Sequence, residues 1–196
     1  MALRPDYPLT TERLHLRPFT RGDVDAVHAY RGREDVARYL FDAPLSREEC
    51  ALAIQQRTTQ LALEQEGDRI ILAVESRGEG TLLGEISLIW RSSEARQGEI
   101  GWIFHPAHQG QGYASEAARE LLHVAFAAGE FHRIYARCDA ANVPSWRLME
   151  RLGMRREAHF REHGVFKGKW DEEFYYAILQ REWFSAQTAE QDIPGR

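Results

Sequence analysis

Apolar residues recur along this chain with two different periods, separated by charged and glycine-bearing stretches. Alternation in Glu12-Arg13-Leu14-His15-Leu16-Arg17 predicts a first strand. A helix follows from near Thr20, whose hydroxyl can cap it, with Val24, Val27 and Tyr30 on one side. Ser46 and Glu49 form a capping box, and the helix they open is expected to run to about residue 66 and stop at Gly67. The unbroken run Ile70-Ile71-Leu72-Ala73-Val74 predicts a buried strand over 69–75, with further strands at 82–90 and 98–104. Ala114, Ala117, Ala118, Leu121, Leu122 and Ala125 then fall at helical spacing and give a narrow face of small residues, suited to close packing on a sheet. Gly129 ends that helix. A strand at 132–138, a short helix at 144–152 stopped by Gly153, and strands at 155–163 and 172–179 joined through Gly164 and Gly168 complete the chain. Seven strands and four helices without an internal repeat predict one domain with a mixed sheet.

Composition narrows the function classes. A chain of 196 residues with 43% hydrophobic content can bury one sizeable core. A net charge of −5 and a pI near 5.9 argue against nucleic acid as a partner and favour a cationic one. Cys50 and Cys138 are far apart and form no C-x-x-C, so a reducing, cytoplasmic setting is expected. The N-terminus lacks the apolar stretch of a signal peptide, and no run is long enough to span a membrane. His105 and His108 have no nearby carboxylate or cysteine to complete a set of ligands, so no metal is expected.

The chemistry concentrates at His105-Pro106-Ala107-His108-Gln109-Gly110-Gln111-Gly112-Tyr113-Ala114. Here a strand, a glycine-bearing turn and a helix start gather backbone N–H groups and the positive end of a helix dipole around one point, an arrangement able to hold a pyrophosphate. No Gly-Lys-Ser/Thr triplet is present, which excludes a Walker loop. Gly110-x-Gly112-x-x-Ser115, with Asp139 on the next strand, approaches the dinucleotide fingerprint and leaves a nicotinamide-dependent oxidoreductase open as an alternative. A tight turn with no ligand is the other reading of the same residues.

Four spaced elements point to one family. Gln109-x-x-Gly112-x-Ala114 resembles the Q/R-x-x-G-x-G/A motif of the GNAT N-acetyltransferase superfamily. Asn142-Val143-Pro144-Ser145 followed by residues 148–154 resembles its N-x-x-S/A…L-Y-x-x-x-G-F signature. The ending around Gly168, Trp170, Asp171, Tyr176 and Leu179, and the opening Thr11-Glu12-Arg13-Leu14-x-Leu16-Arg17, look like the branch that acetylates ribosomal-protein N-termini. The resemblance spans nearly the whole chain. It implies a GNAT fold of the α+β class: a mixed, mostly antiparallel twisted sheet of about seven strands, splayed at two parallel strands and flanked by about four helices. Residues 1–186 would form a single N-acetyltransferase domain, with 187–196 a flexible C-terminal tail. A homodimer is also expected from this branch.

The reaction so implied moves an acetyl group from acetyl-CoA to a primary amine, on a small molecule or a protein N-terminus, by direct attack in a ternary complex. The backbone of Gln109, Gly110, Gln111, Gly112, Tyr113 and Ala114 would hold the pyrophosphate. Ile103 and Phe104 would face the pantetheine, and Asn142 would bond to it unless it is merely a helix N-cap. Met149 stands where many relatives carry a tyrosine acid, so Ser145 is expected to hydrogen-bond the departing sulfur. Glu85 and Glu99, on adjacent strands, are candidate bases acting through water. Without an acid at Met149, a non-catalytic acyl-CoA-binding module also stays open. Cys138 is expected to pack rather than to act as a nucleophile.

Overall fold

The computed structural model describes residues 2–40 and 42–191. Its strands are β1 (Leu9–Thr10), β2 (Leu14–Arg17), β3 (Arg69–Ser76), β4 (Leu82–Ser92), β5 (Gln97–Phe104), β6 (Arg133–Asp139), β7 (Arg155–Phe166) and β8 (Lys169–Leu179). Its helices are α1 (Val24–Arg31), α2 (Glu34–Ala37), α3 (Arg47–Arg57), α4 (Tyr113–Ala127), α5 (Val143–Arg151) and α6 (Gln180–Gln191). The eight strands form one sheet in the order β1-β2-β3-β4-β5-β6-β8-β7. Only β5 and β6 pair in parallel among the described residues. That single parallel pair departs from the doubly wound parallel sheet that a dinucleotide-binding fold requires.

Period-two alternation gives the sheet two apolar faces. Leu14, Leu16, Ile70, Leu72, Val74, Ile86, Leu88 and Ile100 pack with Ala117, Ala118, Leu121, Leu122 and Ala125 of α4 in the larger core. Ala73 and Leu82 pack on the other face with Phe19, Val27, Tyr30, Cys50 and Ile54, so α1 and α3 cover that side. Ala117, Ala118 and Ala125 of α4 are fully buried, as its narrow face predicts, while Ala114 at its start is half-buried.

Several elements differ from expectation, each for a local reason. The third helix ends at Arg57 rather than near residue 66. Thr58 and Thr59 turn their hydroxyls back onto the carbonyls of Gln55 and Gln56, and Leu63 leaves the helix to bridge Leu3 with paired backbone bonds. The capping box of Ser46 and Glu49 forms as read. Thr20 stands at the N-cap as read, with Asp23 accepting from both its N–H and its hydroxyl, but a single 3-10 turn precedes α1. The short β1 and α2 carry too few residues to show a period. Helix α6 buries Trp183 against Phe126. It extends through Gln191 into the stretch 187–196 set apart by the sequence, and 192–196 lie outside the described residues. The last hairpin is longer than predicted, because Lys167 and Gly168 turn it at φ 49° and 77°. Gly164 belongs to β7 instead, its N–H donating to Asp171.

Candidate active site

Strands β5 and β6 pair through only three residues, Gln97 with Arg133, Gly98 with Ile134 and Glu99 with Tyr135. Beyond Glu99 they diverge, while β5 stays paired with β4 out to Phe104 and β6 stays paired with β8 to Asp139. The edge of residues 100–104 facing β6 therefore offers backbone donors and acceptors that no strand takes up. Gly84 fixes that end of β5: a Cβ there would lie 2.4 Å from the Ile103 carbonyl oxygen, so only glycine lets β4 approach so closely.

Two cavities open into the gap. One, of about 570 Å³, is lined by Ile103 and Phe104 of β5, by Gln109, Gly110, Gly112, Tyr113 and Ala114 of the loop and helix start, and by Asn142 and Ser145 of α5. The other, of about 430 Å³, lies over the opposite sheet face and also reaches Trp102, Ile103, Asn142 and Ser145. Both volumes are in the range of small-molecule sites. The shared residues make the splay a passage between two chambers.

In the loop, Gly112 has φ 83°, a left-handed backbone that precedes α4 directly. The amides of residues 112–115 come before the first intrahelical donor, Glu116 N–H to the Gly112 carbonyl at 3.0 Å, so the helix itself cannot satisfy them. Gln109 donates its side-chain amide to the Phe104 carbonyl at 3.0 Å, tying the loop to the strand end. Gln111 is outside the lining and donates to the Ala107 carbonyl. His108 lines the same cavity, and burial together with the His108 ring lowers the His105 pKa. Asn142 sits at the N-cap of α5 without a side-chain cap bond, which leaves its amide group directed to neither helix amide.

Ser145 and Met149 lie one turn apart on α5, and both line the second chamber. Burial pushes the Cys138 thiol up to about 12, with a hydrogen bond to Ser145 opposing the rise. A thiol so disfavoured as thiolate fits packing, as the sequence suggested.

Strand register places the charges of the second chamber. Glu85 lies opposite Ile103, Glu99 beside Tyr135, and Glu173 opposite Asp139, so all project from one sheet face. Glu85 is only 6% exposed and is committed to other groups. Arg57 donates to both its oxygens at 2.7 and 3.1 Å, Tyr30 donates its hydroxyl at 2.7 Å, and an Arg31 nitrogen stands 3.9 Å away. Glu99 accepts from Arg91, Arg137 and Tyr135 at 2.7 to 3.1 Å. Glu173 has looser partners, Arg137 at 3.3 Å and His163 at 3.6 Å. Burial raises the Glu173 pKa above the ordinary carboxylate value, against the pull of Arg137 and His163. Glu173, Arg137 and His163 were not found from sequence, because the pairing of β5 with β6 brings in Arg137, that of β6 with β8 Glu173, and that of β8 with β7 His163. Asp42, Asp139, Asp171 and Glu172 complete an acidic lining in which Arg31 and Arg137 are the arginines, while Arg57 and Arg91 reach Glu85 and Glu99 from outside it.

A family model described as an acetyltransferase (GNAT) domain matches residues 13–155. The uncharacterized N-acetyltransferase YnaD of Bacillus subtilis is 36% identical over 175 residues, covering 89% of this chain and 98% of its own length. The spermidine N(1)-acetyltransferase of Escherichia coli K12 is 25% identical over 181 residues, covering 92% of this chain and 91% of its own length. Among solved structures, a GNAT-family acetyltransferase from Bacillus anthracis superposes with a TM-score of 0.79 at 35% identity, covering 88% of this chain and 98% of that one.

Proposed function

The chain belongs to the GNAT acetyltransferase family, and from that premise we propose that it moves the acetyl group of acetyl-CoA to a primary amine of a small polycation. The passage at Trp102, Ile103, Asn142 and Ser145 carries this reading, because it joins a loop-and-helix-start chamber to an acid-lined one. Acetyl-CoA fits the first chamber chemically: unsatisfied amides at 112–115 suit a pyrophosphate, and the free β5 edge suits the amides of pantetheine. The acidic lining suits more than one ammonium group, and the E. coli relative is named for spermidine. A protein N-terminus is the other acceptor with suitable chemistry, and the same assay separates the two.

In the reaction the amine nitrogen bonds to the thioester carbonyl carbon and the carbon–sulfur bond breaks. A backbone N–H near Ile103 would bond the carbonyl oxygen as charge develops on it. The ammonium proton would pass through water to Glu173, with Glu99 and Arg137 holding it in place. As the intermediate collapses the nitrogen gives its second proton to water, and the leaving sulfur, to which Ser145 would donate, takes one proton back from solvent. Glu85 is left as the buried anion that fixes Arg57 and Arg31.

Free-thiol release from acetyl-CoA, followed across di- and polyamines, monoamines, aminoglycosides and N-terminal peptides, tests this. A polyamine turned over with intersecting initial-rate plots is the expected result, since direct attack needs both substrates bound. Parallel plots would refute the ternary complex. Peptide turnover without polyamine turnover would transfer the proposal to protein N-termini.

A further inference from the structure

The opening Thr11-Glu12-Arg13 lies more than ninety residues from the loop in sequence, yet it is bonded to it at several points. Arg13 donates from Nη1 to the Gln111 carbonyl at 3.0 Å and from Nε to Glu116 at 2.6 Å. Its guanidinium lies 4.6 Å from the Tyr113 ring centroid. A Cβ built on Gly112 would stand 3.3 Å from Nη2, so the same group rests against the second loop glycine. Glu116 in turn accepts from the Thr11 hydroxyl at 2.6 Å and from the Arg13 backbone N–H at 2.8 Å.

Two consequences follow from elementary chemistry. In a trans peptide the carbonyl and the next N–H point in opposite directions. Binding the Gln111 oxygen from behind therefore turns the Gly112 N–H away from Arg13, toward the chamber that Gly112 lines. Glu116, meanwhile, is a carboxylate in the first turn of the helix whose N-terminus should receive phosphate. A carboxylate there repels a second anion, and Arg13 offsets it.

We infer that Arg13 is a positioning residue for the acyl-CoA pyrophosphate, aiming the Gly112 amide and masking the charge of Glu116. The inference rests on the acetyl-CoA reading above. Arg13 is not among the residues lining the chamber, so it acts through Gln111, Gly112 and Glu116.

Calorimetric titration with acetyl-CoA, joined to steady-state kinetics, tests it on wild type, Arg13→Ala, and Arg13→Ala combined with Glu116→Gln. The Ala variant should weaken Kd for acetyl-CoA about tenfold, the worth of one charge-assisted hydrogen bond. Its kcat at saturating acetyl-CoA should stay near wild type. The double variant should recover part of the lost affinity, because the carboxylate that Arg13 masked is then gone. A purely structural staple predicts the reverse, with the double variant at least as weak. Arg13→Met, which keeps an aliphatic stem beside Tyr113 but donates no hydrogen bond and carries no charge, replaces the Ala variant if the latter does not fold. Wild-type affinity in a folded Arg13 variant, or no recovery in the double variant, overturns the inference alone. A wild type that takes up no acetyl-CoA overturns the cofactor reading first and this one with it.

Discussion

Glu85 and Glu173 project from the same sheet face, but Glu85 is held by two Arg57 nitrogens and a tyrosine hydroxyl, whereas Arg137 and His163 touch Glu173 only loosely. Both Glu85 oxygens are already taken by donors, which leaves none free for the water that would carry an amine proton, and removing its charge strands two buried guanidiniums. Glu85→Gln should therefore lower stability by about 3–5 kcal/mol, roughly 10 °C in Tm for a chain of this size. Glu173→Gln should leave Tm near wild type, because burial already disfavours its ionised form, and lower kcat about a hundredfold if it takes the amine proton. The sign of the pH effect follows from the raised pKa. Glu173 becomes a base only as pH rises above its folded pKa, which lies above the ordinary glutamate value of about 4.3. The acid limb of kcat in wild type should thus flatten in the variant. Thermal melts and kcat–pH profiles of both variants check this; a Glu85 variant that loses kcat at unchanged Tm would reverse the two roles.

At the scale of elements, the turn from β2 into α1 depends on Asp23, which is buried and accepts from Arg17 at 2.8 and 2.9 Å and from the Thr20 N–H at 2.7 Å. Burial opposes ionisation there, but these hydrogen bonds prevail and hold the carboxyl below the usual aspartate range. Because the folded pKa is depressed, the contribution is complete above the unfolded value near 3.9 and disappears as pH falls through the folded one. Asp23→Asn should consequently lower Tm at neutral pH, and the gap to wild type should narrow as the pH falls below about 4. A gap that stays constant with pH would mean that Asp23 acts through packing. Local signals of this kind were legible in the sequence to different degrees. The Ser46–Glu49 box and the small face of α4 could be read because every residue involved lies within a few turns. Thr20 could be read as a cap for the same reason, since its partner Asp23 lies only three residues on. The early end of α3 was hidden because Leu61, Ala62 and Leu63 continue an apolar pattern, yet Leu63 is used by Leu3, far away in sequence.

For the molecule as a whole, the loop at 109–114 that we propose for the cofactor could be located from one short stretch, whereas the chamber proposed for the acceptor could not, since it is assembled by strand order. Glu85, Glu99, Arg137 and Glu173 come from β4, β5, β6 and β8, and only the crossover that places β8 between β6 and β7 brings Glu173 to Glu99 across Arg137. The same assembly gathers Asp42, Asp171 and Glu172 at the chamber on a chain whose net charge is already −5. A field of this sign attracts a polycation over distances comparable to the Debye length, which falls from about 30 Å at 0.01 M salt to about 3 Å at 1 M. Over that range the KM of a triamine should rise markedly, that of a monoamine less, and kcat should change little for either, because direct contacts in the chamber are screened less than the approach. Initial rates at fixed, saturating acetyl-CoA against stepped salt measure this directly. A triamine KM indifferent to salt would mean that the carboxylates are taken up by Arg31, Arg137 and His163. The acceptor would then be chosen by shape, against Tyr39, Leu40 and Phe166, which also line the chamber.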